Sequence, residues 1–170
     1  MKRNNITNSR ILAVYPNSRG FGFAVLEGPT SLVDWGVTYV RTNNPRRCLK
    51  KVRAIIERFQ PDRLVTEHPH KSPHRGVRIR RLLSGILDLA ADMRIPRTGV
   101  SRERVRHAFS QSNATTKQAI ARVIADHFPE LHHRLPPKRK PWMSEDSRMA
   151  IFDAVALGLS LSRGNRLRNS

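Results

Sequence analysis

Apolar residues fall in short unbroken bursts at the start of the chain and at helical spacing after residue 45. Ile11-Leu12-Ala13-Val14-Tyr15 is the first burst, closed by the turn-forming cluster Pro16-Asn17-Ser18-Arg19-Gly20. Phe21 to Leu26 is the second, Gly28-Pro29 turns the chain again, and Leu32 to Val40 is the third. Runs of this kind joined by such short turns predict three strands in an antiparallel meander. From Pro45 the spacing changes. Cys48, Val52, Ile55, Ile56 and Phe59 recur at intervals of three or four, which predicts a helix opened by proline and stopped at Pro61-Asp62. Arg63 to Glu67 then reads as a short buried strand that ends on an acid.

A polar loop from His68 to Gly76 leads into a second helix with Ile79, Leu82, Leu83, Ile86, Leu87 and Ala90 inward. Arg97 to Val100 is expected to be a fifth strand, Arg102 to Phe109 a short helix, and Ala114 to Phe128 a longer one. Pro129 to Trp142 reads as a proline-rich basic linker. Ser144 is the expected cap of the last helix, with Glu145 and Asp146 in its first turn and Phe152, Val155, Ala156 and Leu159 facing the core. The tail from Gly164 to Ser170 is expected to fray. Three antiparallel strands continued by parallel strands through helical crossovers define an α/β fold, a mixed five-stranded sheet flanked by helices.

Length and composition narrow the picture. The 170 residues suit one domain, with a core from about residue 10 to residue 162 and flexible basic ends. The single cysteine, Cys48, excludes an internal disulfide, and its place on a helical apolar stripe marks it as a buried, inert thiol. The basic start Met1-Lys2-Arg3-Asn4-Asn5 has no apolar stretch after it, and no run approaches a membrane span, so a cytoplasmic location is expected. Charge carries most of the information: 32 Lys and Arg against 13 Asp and Glu give +19. A packed domain with that surplus repels itself unless it meets a polyanion, and nucleic acid is the expected partner. An anionic membrane surface fits less well without an amphipathic terminal helix, and solubility needs far less charge. Aromatics make up 6% of the chain, which argues for duplex or branched nucleic acid over a base-stacking single-strand platform. Trp35, Phe21 and Phe23 are expected in the core.

Four segments, in order, carry a family resemblance. Ile11 to Val25 resembles the first hairpin of RuvC-type Holliday-junction resolvases in the RNase H-like superfamily, where the strand ends in Asp followed by Pro-Gly-Ser-Arg. Leu64-Val65-Thr66-Glu67 resembles the family's fourth strand, which ends in a catalytic Glu. Thr115-Thr116-Lys117-Gln118-Ala119-Ile120 resembles the segment in which Lys opens a helix. Phe152-Asp153-Ala154-Val155-Ala156 resembles the last helix, with its Asp-Ala-x-Ala pattern. The resemblance implies a RuvC-type fold, a homodimer, and structure-selective DNA endonuclease chemistry on branched or duplex DNA. Such hydrolysis uses paired Mg²⁺ (or Mn²⁺) ions about 3.5–4 Å apart. It implies that Glu67 and Asp153 are the catalytic and metal-ligating residues.

The match breaks at two positions. The first-strand Asp is replaced by Tyr15, a phenol that stays neutral at physiological pH, and the acid or His three residues before the last Asp is replaced by Ala150. Asp146, Glu145 and Asp34 offer no evident substitute, since helical spacing would put Asp146 about 10.5 Å along the axis from Asp153. Three readings follow: a nuclease with a degenerate metal site, an inactive nucleic-acid-binding protein on the same fold, or a basic structural protein associated with RNA. Arg19, Arg75, Arg78, Arg81 and Lys117 are the expected nucleic-acid contacts, Lys117 aided by a helix N-terminus. His68, His70 and His74 have spacing open to zinc, but a solvated basic loop explains them better.

Overall fold

The computed structural model describes residues 9–40 and 44–166, with side chains to residue 162. Five strands form one sheet in the order β3-β2-β1-β4-β5: β1 Arg10–Asn17, β2 Gly20–Glu27, β3 Ser31–Tyr39, β4 Arg63–Glu67 and β5 Arg97–Val100. The first three are antiparallel, while β4 pairs parallel to β1 and β5 parallel to β4. The mixed sheet expected from the apolar pattern is therefore the one found. β1 runs two residues past Tyr15 because Pro16 and Asn17 stay paired with Phe21 and Gly20.

Alternation along the strands splits the core in two. Leu12 and Val14 on β1, with Phe21 and Val25 on β2, face helices α1 (Pro45–Phe59) and α2 (Val77–Asp92). Ile11, Ala13 and Tyr15, with Ala24 and Leu26, face α4 (Lys117–His127) and α5 (Met149–Arg166). The short α3 (Arg102–Ala108) also packs on α5. Local chemistry fixes the helix ends. Asn44 caps α1 by accepting from the Arg46 N–H, ahead of Pro45, and Gln60 closes it in a left-handed conformation before Pro61. Thr116 caps α4 through the Ala119 N–H, which makes Lys117 its first residue rather than its fourth. Cys48 is buried in the α1 face of the core, and that burial raises its thiol above the usual range.

Two expectations at the C-terminal end need correction. Ser144 does not cap the last helix, which begins five residues later at Met149. Asp146 instead holds a tight turn by accepting from the backbone and guanidinium of Arg148, and Glu145 is drawn into an ion pair with Lys117. Those two interactions satisfy the acids that a helical first turn would otherwise have used. Nor is Pro129 to Trp142 wholly a linker: Pro129–Arg134 forms a 3₁₀ turn with Leu131 buried, and Pro136 is buried too. α5 continues through Gly164 to Arg166; the rest of the tail and the basic start Met1 to Asn5 lie outside the described residues. Among the described residues no helix is long and apolar enough to cross a membrane.

α5 lies directly on β2 and β1. A Cβ at Gly22 would stand 2.3 Å from the carbonyl oxygen of Ala150, and one at Gly158 would stand 2.3 Å from Leu26. Glycine at both positions lets helix and sheet approach this closely. Gly22→Ala is expected to destabilise the fold by about 1–3 kcal/mol through overpacking, read as a lower urea midpoint. An unchanged midpoint would mean that α5 does not rest on β2.

Candidate functional site

β1 and β4 lie side by side and in parallel, so their C-terminal ends share one edge of the sheet. Their ladder pairs Ala13 with Val65, and beyond it the Thr66 hydroxyl donates to the Val14 carbonyl at 2.7 Å. Side chains alternate along strands, so Tyr15 and Glu67, two residues past the last pair, project to the α5 face. Asp153 meets them from α5, one turn after Met149, and Lys117 arrives from the first position of α4. Tyr15, Glu67, Asp153 and Lys117 line a cavity of about 540 Å³.

Lys117 is the hub. Its ammonium donates to the Tyr15 hydroxyl at 3.1 Å, to Glu145 at 2.9 Å and to Asp153 at 3.2 Å. Arg75 is the second cation. Its Nε lies 2.9 Å from the Glu67 carboxylate, and its guanidinium also donates to the Pro16 carbonyl. Both cations approach the Tyr15 ring, with Arg75 at 4.8 Å and Lys117 at 5.1 Å from its centroid. Three carboxylates from three segments are thus paired with two basic side chains, and the Tyr15 phenol accepts from one of them.

Burial sets the protonation of this group. It pushes Asp153 up to about 6; Lys117 pulls the other way, and Glu145 and Glu67 add to the rise. Burial likewise pushes the Tyr15 phenol up to about 12, with Asp153 and Glu67 adding to it, so Tyr15 is neutral at pH 7. For Lys117 burial acts downward, but Asp153, Tyr15 and Glu145 together outweigh it and hold the ammonium above the usual lysine range. Lys117 is therefore a fixed positive charge at any physiological pH.

A pair of divalent metal ions does not fit these residues. Hard cations require several oxygen ligands converging without competing positive charge. Here the Asp153 carboxylate is engaged by an ammonium, the Glu67 carboxylate by a guanidinium, and the position between them holds an uncharged phenol. Among the described residues no group of three or more His, Cys, Asp or Glu is placed to hold a metal ion, the His68, His70 and His74 loop included. Ala150 explains why no further acid enters from α5, since its methyl and carbonyl are pressed against Gly22.

The residues singled out from sequence divide into two sets. Tyr15, Glu67, Asp153, Lys117 and Arg75 come together, although Lys117 and Arg75 had been expected on the surface as phosphate contacts. Arg19, Arg78 and Arg81 are exposed and free of the cluster. Glu145 was missed. A helix begun at Ser144 would have turned it away, whereas the helix actually starts where the dense apolar run does, at Met149. That run was the available signal.

No protein-family model matches the chain, and no curated protein resembles it significantly in sequence. Its fold, however, matches solved structures. RuvC from Thermus thermophilus in complex with a Holliday junction substrate superposes with a TM-score of 0.65 at 14% identity, covering 94% of this chain and 96% of that one. A second structure of Thermus thermophilus RuvC gives the same score and coverage at 16% identity. The chain has the RuvC type of RNase H-like fold. In this chain Tyr15, Lys117 and Arg75 surround the carboxylates of Glu67 and Asp153.

The Asp153 carboxyl should titrate near pH 6 by carbon NMR, and higher in Lys117→Met. Because its folded value exceeds the unfolded value near 3.9, its contribution to stability is complete below about pH 3.9 and is lost as pH rises through 6. Lys117→Met should therefore cost about 1–3 kcal/mol at pH 8, where Asp153 is ionised, and less at pH 5. A penalty that does not vary with pH would break the link between the two residues.

Proposed function

We propose that this protein binds duplex or branched DNA on a RuvC-type fold and does not hydrolyse it. The observation that carries this reading is the Lys117 ammonium, which bridges Tyr15, Glu145 and Asp153. Two-metal hydrolysis needs positive charge that can polarise a water and stabilise a leaving oxygen. An ammonium fixed by three oxygens neutralises the carboxylates but activates no water, so the cluster serves as structure. In this reading Glu67 and Asp153 keep the places of catalytic acids and Arg75 and Lys117 hold them.

Binding rests on charge. The chain carries +19, and Arg19, Arg78 and Arg81 are exposed. Arg19 lies in the β1–β2 turn that follows Tyr15, and the arginines of α2 follow the loop that bears Arg75. Such side chains contact phosphates and position a duplex without reading its sequence. The related RuvC fold bound to a Holliday junction makes a four-way junction the first ligand to test.

One observation favours a second reading. Glu67 and Asp153 still converge on one cavity, as a Mg²⁺- or Mn²⁺-dependent endonuclease with a degenerate site would require. Incubating a labelled four-way junction with the protein and each metal separates the two. Binding without cleavage is expected, with affinity falling steeply as salt rises. Cleavage that disappears in both Glu67→Gln and Asp153→Asn would establish the endonuclease instead. Preference for folded RNA over the junction would favour an RNA-associated structural role. Neutralising Arg19, Arg78 or Arg81 singly should lower the salt slope by about 1 each.

A further inference from the structure

The segment between the 3₁₀ turn and α5 forms a strap along the cavity. Its two ends are held by the first residues of α4: the Gln118 amide donates to the Pro136 carbonyl at 3.0 Å, and Lys117 pairs with Glu145 at 2.9 Å. Pro136, Pro137 and Pro141 restrict the backbone between those ends. Within it the Met143 N–H donates to the Lys140 carbonyl at 3.0 Å, which closes a turn with Pro141 second and Trp142 third.

Trp142 stands at the tip of that turn, 78% exposed. Tryptophan carries the largest apolar surface of any side chain and is usually well buried. Here it is presented to solvent on a braced backbone, beside three exposed cations, Lys138, Arg139 and Lys140. The Lys140 ammonium lies 5.4 Å from the ring centroid, which leaves the opposite face of the indole open. Among the described residues the other exposed large aromatic is Tyr39, and its hydroxyl is engaged with Ser147.

We propose that Trp142 is a base-stacking residue that engages an unstacked base, with Lys138, Arg139 and Lys140 holding the flanking phosphates. An indole face offers every base a stacking partner whatever the sequence. The turn fixes the backbone in advance, so little ordering is lost on binding. Perfect duplex keeps its bases stacked internally and presents no free base face, whereas a junction centre or a bulge does. Trp142 therefore confers preference for interrupted over continuous duplex. This inference rests on the DNA-binding reading above and names the structural feature of the ligand.

The test uses the full chain, with a four-way junction, a duplex carrying an unpaired bulge and an uninterrupted duplex as probes. Trp142→Ala is expected to weaken binding to the junction and bulge by about 5- to 100-fold. It should leave the uninterrupted duplex and the salt slope unchanged, since no charge is removed. Trp142→Phe should restore most of the lost affinity, while the tryptophan quenching that the wild type shows with the bulged probe disappears. Equal losses on all three probes, no loss on any, or quenching that survives in Trp142→Phe would each overturn the stacking role and leave the DNA-binding reading intact. A wild-type protein that binds none of the probes would overturn both.

Discussion

Lys117 occupies a position where charge must be balanced. β1 and β4 end side by side, α5 rests against them, and each brings a polar group to the same cavity. A carboxylate left there without a counter-charge would be costly. The ammonium of Lys117 resolves this for Asp153 while donating to Tyr15 and to the exposed Glu145, and the guanidinium of Arg75 does so for Glu67. Two side-chain cations thus bind together strand ends, the loop after β4, the start of α4 and the strap before α5. The positive charge of the arrangement is delivered by the chain itself, although Glu67 Oε2 and Arg75 Nε meet as an ion pair without hydrogen-bond geometry.

That balance also accounts for the local shape around it. Glu145 lies ahead of the helix expected for it and pairs with Lys117 on α4, which ties the strap to the cavity at the Glu145 end. Gln118, the next residue along α4, holds the other end. The short first turn of α4 therefore supplies the cluster's central cation and holds both ends of the basic strap. Charge inside the fold and charge on its surface meet at residues 117 and 118.

The sheet and its helices were readable from the chain because apolar period reports burial directly. Runs such as Ile11 to Tyr15 and stripes such as Cys48, Val52 and Ile56 leave little choice of element or face. Tyr15, Glu67 and Asp153 were legible as members of one cluster because each terminates or punctuates such an element. The roles of Lys117 and Arg75 were not. A cation's sequence neighbourhood does not reveal whether it points to solvent or folds back on an acid 36 or 8 residues away. Glu145 was misplaced for a related reason: the capping sequence Ser-Glu-Asp pointed to a helix start there, whereas the helix begins at Met149 and Glu145 pairs with a lysine 28 residues away. Trp142 drew no notice among the residues of an apparent linker, since turn geometry and exposure there depend on how both ends are tied.

The contact between Gly22 and Ala150 has a consequence for which proteins are within reach of this one. Ala150 is buried at that contact, so a carboxylate or imidazole in its place would have to fit into an already crowded join of helix and sheet. Exchanging Tyr15 for an acid would supply one oxygen donor but would leave Lys117 as its nearest neighbour. Metal chemistry at this edge of the sheet would therefore take more than a new acid at residue 15, because the charge of Lys117 and the crowding at Ala150 would both remain.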